Sequence, residues 1–208
     1  MSTMPAHSAE PMIHLVDDEA PVRDALSFLF HTHGLRSTTY PGGQALLAAL
    51  SAGPLRGVLL LDVRMEPMSG LQLHDELVAR DCRLPVIFLS GHGDIPMAVD
   101  ALKKGAFDFV EKPFSDQALV DRVRSALRIE AAQQASAAAA DESDARLASL
   151  SEREREVMLR VAAGKLNKVI ADELHISVRT VEVHRARVFA KLRVRSAAEV
   201  ATLLASRH

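Results

Sequence analysis

At 208 residues, 48% of them hydrophobic, the chain is long enough for two ordinary domains; with no Trp and 4% aromatics, their cores must rest on Leu, Val, Ile and Ala. The single cysteine, Cys82, excludes an internal disulfide and a CxxC zinc site, and fits a reducing cytoplasm. The net charge of −2 hides an asymmetry: residues 1–130 carry 12 Lys and Arg against 17 Asp and Glu, residues 131–145 carry three acids and no base, and residues 146–208 carry 13 bases against 7 acids.

The N-terminal MSTMPAHSAEP has no apolar h-region and reads as a disordered segment, residues 1–10. The longest apolar run, GVLLL, is far too short to span a bilayer, so no membrane role is expected. Strand-like runs follow at MIHLV (12–16), LRSTTY (35–40), GVLLL (57–61), PVIFLS (85–90) and FDFV (107–110). Helix-like stretches lie between and after them, near 20–33, 43–52, 69–80, 94–104 and 115–129. Short continuous apolar strands alternating with helices predict an α/β fold, a five-stranded doubly wound parallel sheet covered on both faces, over residues 11–129. Ser115 is placed to cap the last of these helices, with Asp116 in its first turn.

Residues 130–145, EAAQQASAAAADESDA, lack any large apolar side chain and are rich in Ala, a strong helix former. They read as a solvated, partly helical linker into which the preceding helix can run on. Residues 146–208 read as helices only. Ser151 with Glu154 three residues on makes a capping box that opens EREREVMLRVAAG, and Gly164 closes it. NKVIADEL (167–174), the break HIS (175–177) and RTVEVHRARVFAKL (179–192) make a helix-turn-helix, and a fourth helix starts from Ser196.

In a doubly wound sheet, ligands bind beyond the carboxyl ends of the strands. The residues there are Asp17 and Asp18 after the first strand, Asp62 after the third, Ser90 at the end of the fourth and Lys112 just past the fifth. Three close carboxylates repel unless a cation sits among them. A hard cation such as Mg2+ suits oxygen ligands and leaves room for a phosphoryl group. A carboxylate beside a metal and a Lys is a competent nucleophile that forms an aspartyl phosphate.

In the second helix of the pair, Val181, Val188 and Leu192 share one face and point inward. The opposite face carries Arg179, Glu182, Val183, Ala186, Arg187 and Ala190. Small apolar residues among charges on an exposed face suit a major groove, where Val183 and Ala186 can touch thymine methyls and Glu182 can accept from a cytosine amino group. Lys168, Thr180, His184 and Lys191 flank that face within reach of phosphates, which position without specifying.

The first ~125 residues resemble the receiver domain of two-component response regulators, through LVDDEAPVRDAL, LLLDVRMEPMSG, FLSGHGDIPMAVDALKKGA and FDFVEKPF. The last 60 resemble a LuxR-type helix-turn-helix, through LSEREREVMLRVAAGKLNKVIADELHISVRTVEVHRARVFAKL; together they resemble the FixJ-like regulators. The resemblance implies that Asp62 is the phosphoacceptor and that Asp17, Asp18, Asp62 and the backbone carbonyl of Arg64 hold Mg2+. It also implies that Ser90 and Lys112 bind phosphoryl oxygens, that Phe109 is an aromatic switching with Ser90, and that Lys112-Pro113 is cis. The implied partners are a sensor histidine kinase, double-stranded promoter DNA, a second copy of the chain on phosphorylation, and RNA polymerase as a candidate. One departure is the loop Arg64-Met65-Glu66-Pro67-Met68, where Pro lies one residue later than in the family and Glu66 adds a negative charge.

Two other readings compete. In one, the receiver no longer takes phosphate, and only Glu66 favours it. In the other, the chain is a Mg2+-dependent phosphatase with Asp62 as nucleophile. Such enzymes place an acid two residues beyond the nucleophile; here that residue is Arg64, so turnover is not expected.

Overall fold

The computed structural model describes residues 10–91 and 95–205, without the side chains of Ile95, Pro96 and Ala98. The disorder expected for residues 1–10 therefore lies outside the described residues except at Glu10, which pairs with Arg36. The chain divides into two compact units, Met1–Gln134 and Ala135–His208.

The first unit alternates β1 (Met12–Val16), α1 (Ala20–Thr32), β2 (Ser37–Tyr40), α2 (Gly43–Ala52), β3 (Gly57–Asp62), α3 (Gly70–Ala79), β4 (Val86–Ser90), α4 (Ile95–Lys103), β5 (Asp108–Glu111) and the start of α5 (Asp116–Ala148). All neighbouring strands are parallel, in the order β2-β1-β3-β4-β5. Strand β3 is buried along its whole length. Its alternate residues feed two cores, as a period of two requires. Val58 and Leu60 join Ile13, Leu15, Phe30, Ile87, Leu89 and the α5 residues Leu119, Val120, Val123 and Ala126. Leu59 and Leu61 join Val16, Leu46, Leu73, Leu77, Phe88 and Ala101 on the other face. Helices α1 and α5 thus cover one face, and α2, α3 and α4 the other.

Two glycines are required by close approach. At Gly57 (φ +119°) a Cβ would lie 1.9 Å from the Met12 carbonyl oxygen, so only glycine lets β3 start against β1. At Gly70 it would lie 2.1 Å from the Asp62 carbonyl oxygen, so the first turn of α3 rests directly on the end of β3. That turn is held by a capping box between Ser69 and Gln72.

The second unit contains the end of α5, then α6 (Glu152–Ala162), α7 (Asn167–Leu174), α8 (Val178–Leu192) and α9 (Ala197–Ala205). The capping box of Ser151 and Glu154 opens α6, and Gly164 (φ +74°) follows its end. Val157, Val161, Ile170, Ala171, Leu174 and Val181 pack α6, α7 and α8 together. Leu147, Leu150, Met158, Val188, Leu192 and Val200 form a second cluster that includes the end of α5 and α9. Ser177 caps α8 by accepting from the Thr180 N–H at 3.0 Å.

Residues 130–145 are helical throughout, as part of α5. Ser115 caps that helix through the Ala118 N–H at 3.2 Å. The solvated character expected of the linker fails at its first residue: Glu130 is only 1% exposed, because Arg56 reaches it from the turn before β3.

Candidate functional site

The carboxyl ends of β1, β3, β4 and β5 bring the acidic residues, Ser90 and Lys112 to one rim. Asp17 follows β1 and is 1% exposed; its Oδ1 accepts the Glu19 N–H at 2.8 Å. Its Oδ2 is buried without a hydrogen-bond partner, 3.8 Å from Lys112 Nζ. Arg23 Nη1 donates to the Asp17 carbonyl at 2.7 Å, tying the loop to α1. Asp62 ends β3. Its Oδ1 accepts from Lys112 Nζ at 2.6 Å and its Oδ2 from the Arg64 N–H at 2.7 Å. Asp18 is exposed, and its Oδ2 faces the Glu66 N–H at 3.4 Å. Glu66 therefore meets the rim through its backbone donor.

Register places the rest. Phe88 of β4 pairs with Phe109 of β5, their ring centroids 6.1 Å apart, and Ser90 pairs with Glu111. The Lys112 N–H donates to the Ser90 carbonyl at 2.6 Å, which sets the lysine beside the rim. Ser90 is buried, and its hydroxyl donates to the Gly91 carbonyl at 2.9 Å. Phe109 is half-buried against the core containing Phe88. The Lys112-Pro113 peptide is cis, as is Glu66-Pro67.

Burial pushes the Asp17 carboxyl above its ordinary range; the Glu19 N–H and Lys112 pull it down, while Asp62 and Asp18 push it further up. A buried oxygen without a donor, facing a second carboxylate, is what a hard cation with oxygen ligands relieves. Among the described residues no three His, Cys, Asp or Glu converge on a single metal position. Mg2+ does not need three, since it uses one or two carboxylates with waters and phosphate oxygens. The donor set therefore fits it.

In the second unit, Arg179, Glu182, Val183, Ala186, Arg187 and Ala190 are exposed along one face of α8, while Val181, Val188 and Leu192 are buried. Val183 is 44% exposed, and Leu166, Val169 and Val178 add exposed apolar surface on the same helix pair. Lys168 is exposed on α7. Thr180 is half-buried, its hydroxyl 2.7 Å from Ser177 Oγ, and His184 is half-buried with Nδ1 lacking a hydrogen-bond partner. Lys191 is set apart from this face: its ammonium donates to Glu154 Oε2 at 2.6 Å and to the Ser149 carbonyl at 2.9 Å.

Arg185 makes two contacts that order the helix pair, and only one of them was readable in the sequence. Arg185 Nη1 donates to Asn167 Oδ1 at 2.9 Å, joining α8 to the start of α7, and lies 5.3 Å over the Phe189 ring. The i,i+4 spacing of Arg185 and Phe189 was readable; the 18-residue step to Asn167 carries no periodic signal.

Residues 13–124 match the family described as "Response regulator receiver domain", and residues 148–204 the one described as "Bacterial regulatory proteins, luxR family". The C4-dicarboxylate transport transcriptional regulatory protein DctR of Rhodobacter capsulatus is 51% identical over 92% of this chain and 98% of its own. The transcriptional regulatory protein FixJ of Rhizobium meliloti is 45% identical over 88% of this chain and 90% of its own. Among solved structures, the response regulator StyR aligns with a TM-score of 0.86 at 36% identity, covering 95% of this chain and all of that one. Full-length FixJ from B. japonicum aligns at 0.59 and 42%, covering 94% and 96%. With an acidic rim at one end of a parallel sheet and an exposed helix of a helix-turn-helix at the other end of the sequence, the chain belongs to the response regulators: it is a FixJ-like transcriptional regulator with a receiver domain and a LuxR-type DNA-binding domain.

Proposed function

We propose that Asp62 accepts a phosphoryl group from a sensor histidine kinase, and that the modified protein binds promoter DNA more tightly as a dimer. The single observation that carries this is the rim itself. Lys112 lies 2.6 Å from the Asp62 carboxylate, beside a buried Asp17 oxygen that no donor satisfies.

The Asp62 oxygen attacks phosphorus as the bond to the donor's imidazole nitrogen breaks, and that nitrogen takes a proton from water. Lys112 is placed to pair with one phosphoryl oxygen, and the Ser90 hydroxyl, turned from Gly91, to donate to another. Asp17, Asp18, Asp62 and the Arg64 carbonyl would hold Mg2+, which supplies charge neutralisation for the incoming group. Phosphorylation replaces a carboxylate of one negative charge with an acyl phosphate of about two, a net gain of about one. Phe109, packed on Phe88, is the side chain placed to turn with Ser90. This is a reaction of the chain on itself, without turnover of a separate substrate.

The boundaries proposed are 11–129 for the receiver, 130–145 for the linker and 146–208 for the DNA-binding domain. The face of Arg179, Glu182, Val183, Ala186 and Arg187 enters the major groove, with Lys168, Thr180 and His184 toward phosphates. RNA polymerase is the candidate further partner and the cytoplasm the compartment. No helix among the described residues is long and apolar enough to cross a membrane. The similarity to DctR makes promoters of dicarboxylate transport genes the first fragments to try.

The test is footprinting with and without a small phosphodonor and Mg2+. The wild type gains affinity and carries a hydroxylamine-labile phosphoryl group; Asp62→Asn shows neither. An equal gain in the Asn variant overturns the assignment.

A further inference from the structure

We infer that Arg56 and Glu130 form a clamp through which the state of Asp62 is passed to the helix that continues into the DNA-binding unit. The inference rests on the phosphorylation switch proposed above.

The buried stripe of α5 runs Leu119, Val123, Ala126 and then Glu130, at steps of four, three and four. A carboxylate thus occupies the next apolar position. It is 1% exposed, and Arg56 holds it with two contacts, Nε to Oε1 at 2.5 Å and Nη2 to Oε2 at 3.5 Å. Residues 131–142 are all exposed, and the next buried residue of the helix is Leu147. Glu130 is therefore the last buried side chain of α5 within the first unit. Apolar contacts tolerate small slides; a buried carboxylate against a guanidinium does not, because displacement separates two desolvated charges. The pair fixes both the rotation and the axial position of the helix where it leaves the receiver.

Arg56 itself immediately precedes β3, whose last residue is Asp62. One strand, roughly 20 Å from end to end at about 3.3 Å per residue, carries the acceptor carboxylate at one end and the arginine of the clamp at the other. Strand β3 is buried throughout and paired on both sides, with β1 and β4, which leaves little slack along it to absorb a displacement at one end. The arginine's backbone is fixed as well. Its carbonyl accepts the Met12 N–H at 3.0 Å and lies 3.1 Å from His14 Nε2, while His14 Nδ1 lies 3.1 Å from the Tyr40 hydroxyl. An acceptor-only carbonyl makes Nε2 the protonated nitrogen, which leaves Nδ1 to accept from Tyr40. A shift at the Asp62 end of β3 thus reaches Glu130 through a single strand and one ion pair.

The experiment compares wild type, Glu130→Gln, Arg56→Lys and the exchange Arg56→Glu with Glu130→Arg in the full chain. Three quantities are read: phosphoryl on Asp62 by hydroxylamine lability, melting temperature, and DNA affinity with and without phosphodonor. Glu130→Gln is expected to take up phosphoryl as the wild type does and to bind DNA equally without phosphodonor. Its phosphorylation-dependent gain is expected to fall about fivefold or more, within the ordinary range of coupling between sites. Arg56→Lys, which keeps the charge and loses the fork, falls part of the way, and the exchange restores some of the gain. A full gain in Glu130→Gln overturns the clamp. So does a loss only in proportion to lost phosphoryl uptake and lowered melting temperature across both single variants, which marks a structural pair. A wild type that takes up no phosphoryl, or gains no affinity, overturns the switch itself and the clamp with it.

Discussion

Asp17 and Glu154 are both almost fully buried carboxylates, one in each unit, and they are treated in opposite ways. Glu154, 4% exposed, accepts from Lys191 at 2.6 Å and from the Ser151 N–H at 2.8 Å. Its carboxyl is held below the usual range, first by the Lys191 hydrogen bond and then by the Ser151 N–H. Asp17 has one oxygen hydrogen-bonded by the Glu19 N–H and one without a hydrogen bond, 3.8 Å from Lys112 Nζ; burial first, and then Asp62 and Asp18, push its carboxyl up. A matched buried acid serves the fold: Glu154 closes the capping box of α6 and ties it to α8. A mismatched one costs stability, as an acid does when its charge is kept for a site, the role proposed for Asp17.

The largest expected effect comes from making the mismatch worse. Lys112→Met removes the ammonium that faces Asp62 and Asp17. The rate of phosphoryl uptake should fall roughly 10²-fold, the scale for losing one charge-stabilising donor. A rate unchanged on a stopped-flow or gel timescale would show that Lys112 only balances charge in the resting protein.

The second pair of variants inverts the comparison. In metal-free buffer at pH 7, Asp17→Asn should stabilise the receiver by about 1–3 kcal/mol, the penalty for an unsatisfied buried group. It should also abolish the rise in melting temperature expected when Mg2+ is added to the wild type. The pH dependences have opposite signs. The Asp17 carboxyl is raised above 3.8, so its penalty is absent below that pH and grows as pH rises through the folded value. The Glu154 carboxyl is lowered from 4.5, so its stabilisation is full above that pH and is lost as pH falls through the folded value. Glu154→Gln keeps the cap geometry and loses the charge. With Lys191 38% exposed, it should cost the DNA-binding unit about 0.5–1 kcal/mol near neutrality and nothing in acid. Melting curves from pH 3 to 8 check both signs.

Local signals made most of the fold legible. The bounds of β1 and α2 agree residue for residue with the sequence reading, because apolar runs and glycines mark them. Strand β2 begins at Ser37, two residues late, since Leu35 turns into the core of the α1 and α5 face. The end of α5 was less legible: an alanine run has high propensity but no apolar stripe to say where packing stops. The strand-end acids, Ser90 and Lys112 could be grouped in advance because the topology alone sends them to one rim. What stayed hidden were the pairs remote in sequence. Arg56 and Glu130 are 74 residues apart, and Lys191 and Glu154 are 37 apart. Neither spacing has a period, so the sequence does not show that Glu130 and Glu154 are buried carboxylates matched by Arg56 and Lys191.

Lys191 gives the smallest and most discriminating difference. Its position beside the exposed face of α8 marked it for phosphate, yet its ammonium is held by Glu154 and the Ser149 carbonyl. Lys168, proposed to face phosphate, is exposed on the neighbouring helix α7. Each side chain that neutralises a phosphate contributes about 0.9 to the slope of log affinity against log salt. Lys168→Met should therefore lower the slope by about one per DNA-binding unit. Lys191→Met should leave it unchanged while lowering the melting temperature, because its charge is spent inside the unit. If Lys191→Met lowers the slope as Lys168→Met does, the lysine exchanges Glu154 for phosphate on binding. The matched acid would then be as much part of the DNA response as Asp17 is of the phosphoryl response, and the contrast between the two units would reduce to whether the compensating cation is fixed or moves.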